Sequence, residues 1–159
     1  MAIIAKSMEV QPARPDDIPQ LCELLEILFN EEVEFHSNRS AQTAGLEQII
    51  NFPERGQILV LRDGPVCAGM VNLLYTISTA MGGKAAILED MVLRPEYRGS
   101  GAGSKLLHAA VKLAGNNGCR RITLLTDQGN EKVLSFYQHH GFFISQMVPM
   151  RLIFPQNGP

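Results

Sequence analysis

The chain has no tryptophan, only three cysteines in 159 residues, and no Lys/Arg cluster larger than the pair Arg120-Arg121. Each shortage excludes something. Cys22, Cys67 and Cys119 are odd in number and form no CxxC, which argues against a disulfide framework or a zinc knuckle. They read as small buried hydrophobes. The four histidines make neither HExxH nor HxxxH, so no metal is expected. No apolar run approaches the roughly 20 residues of a membrane helix, so no membrane partner is expected. Residues 1–5, followed by Lys6, read as too short for a signal peptide, with the charge on the wrong side. A cytoplasmic protein is expected. Without tryptophan or a basic tract, and with an isoelectric point near 6.1, nucleic acid is not an expected partner.

What is present suits one domain over residues 1–159. Hydrophobic residues make up 45% of the chain, net charge is −2, and mean hydropathy is +0.01. The charge is unevenly spread. Residues 1–90 hold 6 basic and 13 acidic side chains, and residues 91–159 hold 8 and 3. A basic half suits an anionic ligand, and an acidic half suits a cation.

The periodicity predicts alternating elements without a linker. Residues 9–14 read as extended. Asp16 or Asp17 should cap a helix whose stripe is Ile18, Leu21, Cys22, Leu25, Leu28 and Phe29. A polar stretch over 31–42 precedes a short helix at 44–51, stopped by Pro53 and Gly56. Strands are expected at 57–62, 66–79 and 85–93, with Asp63-Gly64 and Met81-Gly82-Gly83-Lys84 as turns. After a loop at 94–103 comes a helix with Leu106, Leu107, Ala110, Val111 and Ala114 on one face. The apolar run at 122–126 reads as a central strand buried on both faces. Asn130 should cap a helix over 131–140, and a closing hairpin is expected from 142–148 and 150–154. This order predicts an α/β fold: a mixed sheet with helices packed on it. The closing strands would complete the sheet within one chain or across a homodimer.

The segment Arg98-Gly99-Ser100-Gly101-Ala102-Gly103 follows a strand and opens a helix, so its backbone N–H groups are expected to form a site for phosphate or pyrophosphate, with a flexible loop carrying helix-start glycines as the other reading. It is not a P-loop, because Gly103 is followed by Ser104 and then Lys105. It is not a dinucleotide fingerprint, because Ser104 stands where the last glycine belongs. The Arg-x-x-Gly-x-Gly pattern of Arg98, Gly101 and Gly103 resembles the acetyl-CoA loop of the GCN5-related N-acetyltransferases (the GNAT family). Leu88-Glu89-Asp90-Met91-Val92-Leu93-Arg94-Pro95-Glu96-Tyr97 resembles that family's preceding strand. Asn130 with Phe136-Tyr137-Gln138-His139-His140-Gly141-Phe142 is similar to its final helix.

The resemblance implies a sheet splayed between its fourth and fifth strands, with helices on both faces. The pantetheine arm of acetyl-CoA would then bond backbone groups near Met91, Val92 and Leu93. The pyrophosphate would rest on Gly99, Ser100, Gly101, Ala102, Gly103 and Ser104, with Arg98 adding charge. Asn130 and Phe136 would line the other wall. Tyr137 occupies the position of the family's general acid, and packing at a helix–sheet seam is its other reading. Glu89 matches the carboxylate that some small-amine members use as base. Asp90 and water stay open as alternatives, because strand alternation sends Glu89 and Asp90 to opposite faces. A backbone N–H near Val92 would stabilise the oxyanion.

The implied reaction moves an acetyl group from acetyl-CoA, as co-substrate, to a primary amine of a small molecule by direct attack. A protein lysine or N-terminal acetyltransferase and a non-catalytic acyl-CoA sensor remain as alternatives. Glu31, Glu32, Glu34 and His36 lie where the family shapes its acceptor pocket and would draw in a cationic amine, unless they form only a solvated face.

Overall fold

A computed structural model describes residues 7–156, and the stretch 1–6 read above as no signal peptide lies outside them. The chain divides into two compact units, Met1–Asp127 and Gln128–Pro159.

The first unit is a five-stranded sheet in the order β1-β2-β3-β4-β5. Its strands are β1 (Glu9–Pro12), β2 (Gly56–Asp63), β3 (Val66–Ser78), β4 (Gly83–Leu93) and β5 (Ile122–Leu124). The first four pair antiparallel, as the tight turns joining β2 to β3 and β3 to β4 require of those three, and β5 pairs parallel to β4. The connection from β4 to β5 runs through α3 (Ala102–Asn116). Two further helices, α1 (Ile18–Glu31) and α2 (Arg39–Ile50), lie between β1 and β2 in the chain. Helices cover both faces of the sheet. On one, Leu21, Leu24, Leu25 and Leu46 pack with Ile58, Val60, Met70 and Val92. On the other lies the buried stripe Leu106, Leu107, Ala110 and Ala114 of α3. Gly69 faces that helix: a Cβ built there would stand 3.5 Å from Leu106.

Three expectations need correction in this unit. The polar stretch 31–42 contains the start of α2, because Asn38 Oδ1 accepts the Ala41 N–H at 3.0 Å and caps the helix five residues earlier than its apolar pattern begins. Asp17 does not cap α1 with its side chain. It accepts the Arg14 N–H at 2.7 Å and forms a buried ion pair with Arg62 at 2.5 Å. The strand at 122–126 is shorter than predicted and is not buried on both faces: Thr123 is exposed, and β5 is the sheet edge.

The decisive irregularity is a bulge in β4. Asn72 pairs with Glu89 but Met70 pairs with Val92, so β4 carries one residue more than β3 across this step. Asp90 absorbs it with φ 53°, the one non-glycine with positive φ among the described residues.

The second unit contains α4 (Glu131–His139), whose N-cap is Asn130 as predicted: its Oδ1 accepts the Val133 N–H at 3.3 Å. The closing hairpin predicted at 142–148 and 150–154 is absent from the described residues, which carry no strand there. Phe143, Ile144, Met147, Val148, Met150, Leu152, Ile153 and Phe154 are all exposed. Alternating apolar residues supply strand propensity, but a strand needs a partner edge to satisfy its backbone.

Candidate active site

Pairing between β4 and β5 covers only three positions and ends at Leu88 opposite Leu124. From Glu89 to Leu93, β4 has β3 on one side and no strand on the other among the described residues. Met91, Val92 and Leu93 occupy this open edge. Arg94 then turns the chain, donating its N–H to Ala68 O at 2.8 Å, and leads into a single 3-10 turn at Pro95–Tyr97.

The loop that follows is built by backbone geometry. Gly99 and Gly101 have φ of 78° and 81°, in the left-handed region that favours glycine. A Cβ at either would meet nothing within 4 Å, so no neighbouring side chain fills the space over this turn. Gly101 caps α3 without any side-chain hydrogen bond. The helix thus presents its positive end and its first N–H groups, near Ala102, Gly103 and Ser104, to whatever enters that space. Ser100 is exposed, and its hydroxyl folds back on the loop to donate to Tyr97 O at 2.9 Å. A turn of this geometry is one that could hold a pyrophosphate. Arg98 is not free: its guanidinium donates to Leu93 O at 3.2 Å and pairs with Glu31 at 3.1 Å.

Beside the open edge lies a cavity of about 290 Å³ between α1, α2 and the β3–β4 bulge. Leu25, Phe29, Leu46, Ile49 and Leu74 supply apolar wall, with His36 on the connecting loop and Asn72, Glu89 and Asp90 on the sheet. The expected opposition of Glu89 and Asp90 is overturned: the bulge interrupts alternation, and both carboxylates line this one cavity. A second hollow, about 320 Å³, lies along α2 by Glu47 and Phe52 and gathers no chemistry-bearing group beyond Glu47.

Burial pushes the Asp90 carboxyl up to about 6, with repulsion from Glu89 adding and the Asn72 amide opposing. Asn72 Nδ2 donates to Asp90 Oδ2 at 3.3 Å. Glu32 is raised to about 7, first by burial and then by repulsion from Asp90, Asp127, Glu89 and Glu34. Asn72 itself is only 2% exposed, and its Oδ1 is buried without a hydrogen-bond partner. An unmatched buried acceptor costs about 1–3 kcal/mol. Sequence reasoning missed Asn72; the signal was a lone amide in the otherwise apolar stretch from Met70 to Leu74.

In the second unit, α4 gathers the other expected residues. Asn130 caps it, and the Phe136 ring meets Tyr137 edge-on at 5.2 Å and His140 at 4.7 Å. Tyr137 also packs on Phe142 at 5.6 Å, and burial pushes its phenol up to about 12. It remains protonated at neutral pH.

The profile of the acetyltransferase (GNAT) family matches residues 19–142. The chain belongs to that family. An uncharacterized N-acetyltransferase of Bacillus subtilis, YhfO, is 29% identical over 138 residues, covering 85% of this chain and 89% of the relative. The thialysine N-epsilon-acetyltransferase of Sus scrofa is 33% identical over 75 residues, 47% of this chain and 44% of that protein. A predicted acetyltransferase from Clostridium acetobutylicum, solved with acetyl-CoA, superposes with a TM-score of 0.75 at 16% identity, covering 91% of this chain and 96% of that one. That likeness establishes the fold: the splayed mixed sheet is the GNAT sheet. No helix among the described residues is long and apolar enough to cross a membrane.

Proposed function

We propose that this GNAT protein transfers the acetyl group of acetyl-CoA to the primary amine of a small molecule by direct attack. One observation carries the reading. The carboxylates of Glu89 and Asp90 stand on β4 at the step where β5 ceases to pair, so an amine cavity and an unpaired strand edge adjoin on one strand. An open edge takes an extended pantetheine arm by backbone bonds, and the glycine turn takes the pyrophosphate.

The chemistry follows from charge. An alkylammonium has a pKa near 10.4 and must lose a proton before its nitrogen can attack. Glu89, exposed at the cavity mouth, accepts that proton through water. The nitrogen then bonds to the acetyl carbon, the carbon–sulfur bond breaks, and Tyr137 donates its proton to the departing sulfur. The second nitrogen proton restores the phenol through solvent, and one proton leaves overall. The Val92 N–H polarises the thioester carbonyl. A cavity of about 290 Å³ suits a small acceptor, at the lower end of ordinary ligand pockets. The names of the thialysine enzyme and of the acetyl-CoA-bound neighbour support acceptor and donor respectively.

The test is thiol release over a panel of small amines, peptides with free N-termini and lysine peptides. Turnover on small amines is expected, with Glu89→Gln lowering kcat about 100-fold. Acetyl-CoA binding without turnover on any acceptor makes the protein a sensor, and turnover confined to peptides makes it a protein acetyltransferase.

A further inference from the structure

Resting on that reading, we infer that the cavity selects an acceptor with a primary ammonium on a hydrocarbon or aromatic body, anchored by the Asn72 side-chain carbonyl and the Asp90 carboxylate, and rejects acceptors bearing phosphate.

The argument begins with an orphan. Asn72 is 2% exposed, it lines the cavity, and its Oδ1 has no partner. The amide orientation follows from its neighbour. Asp90 accepts, so Nδ2 must face it, as it does at 3.3 Å, and Oδ1 is left as an acceptor awaiting a donor. A second group needs a partner of the same kind. Asp90 lines the same space, and among the described residues no Lys or Arg forms an ion pair with it or with Glu89. An ammonium carries three donors and a positive charge, so it satisfies the amide oxygen and the carboxylate together. A neutral donor can hydrogen-bond to both but brings no positive charge to the carboxylate, and an anion is repelled by it.

The walls define the remainder of the ligand. Leu25, Phe29, Leu46 and Ile49 face the space opposite the polar pair, which suits an alkyl chain or ring. No Lys or Arg lines the cavity, so a phosphate there would meet two carboxylates with His36 as the one basic side chain among the lining residues. The bulge makes the site possible, since regular alternation would turn Asp90 away from Asn72.

The experiment compares 2-phenylethylamine with O-phosphoethanolamine, by calorimetric binding without donor and by turnover with acetyl-CoA. Wild type, Asn72→Leu and Asp90→Asn are examined; asparagine tolerates the left-handed backbone at 90. Acetyl-CoA affinity within twofold of wild type certifies each variant as folded. The expected result is binding of 2-phenylethylamine only, weakened about 10- to 100-fold in each variant, with KM rising by the same factor and kcat changing little. Equal or better use of O-phosphoethanolamine, or binding unmoved by both substitutions, overturns the inference. The two readings fail separately. Asn72-dependent binding without transfer removes the enzymatic reading alone, and transfer that ignores Asn72 and Asp90 removes only this one.

Discussion

At the scale of single residues, the proposed mechanism draws on groups held away from their solution behaviour. Tyr137 keeps its proton because burial lifts its phenol to about 12, which suits a proton donor to sulfur. Tyr137→Phe removes that proton and little volume. A fall in kcat of about 100-fold or more is expected, with acetyl-CoA affinity unchanged by calorimetry. Equal losses in both would assign the ring to packing against Phe136 and Phe142. Tyr137 was proposed from its motif. Asn72 was not, because an orphaned carbonyl is a property of surroundings and leaves no spacing signature.

At the scale of elements, two backbone features carry the proposed chemistry: the glycine turn before α3 and the bulge in β4. The turn was readable, since glycines at a strand-to-helix junction have few other uses. Gly101→Ala should cost about 1–2 kcal/mol in urea denaturation, because φ of 81° is hostile to any Cβ even with open space around it. Gly101→Glu should in addition abolish acetyl-CoA binding, by placing a negative charge at the positive end of the helix. Retained affinity in a calorimetric titration would take the loop out of the site. The bulge was not readable. Nothing in Leu88-Glu89-Asp90-Met91 announces an extra residue, which appears only when β4 is laid against β3. The early start of α2 was missed for a related reason: the Asn38 cap outweighs a weak apolar pattern.

At the scale of the whole molecule, the buried carboxylates set a pH dependence. Asp90 at about 6 and Glu32 at about 7 lie above their ordinary 3.8 and 4.5. Their contribution to stability is therefore complete below those ordinary values and is lost as pH rises through 6 and 7. Asp17 runs the other way. Burial raises it, but hydrogen bonds from Arg62 and the Arg14 N–H outweigh that and hold it below 3.8. Its contribution is lost as pH falls through that depressed value. Ligand-free thermal midpoints should therefore peak near pH 4, fall as pH rises to about 7 and level off above it. Saturating 2-phenylethylamine should raise the midpoint more at pH 8 than at pH 5. A calorimetric series that is flat from 5 to 8 would contradict the arrangement of Glu32 and Asp90.

Local chemistry alone already dictated β1 to β4, the turns that join β2, β3 and β4, the glycine turn before α3 and the Asn130 cap, because each depends on residues within a few positions of one another. The family followed from the same short-range patterns. Pairing decided the rest. Only the register of β3 against β4 brought Glu89 and Asp90 into one cavity and left Asn72 Oδ1 without a partner, and only the sheet order made β5 an edge. Residues 142–154 show the same limit, since alternation specifies which side chains share a face but not whether a neighbouring strand receives them.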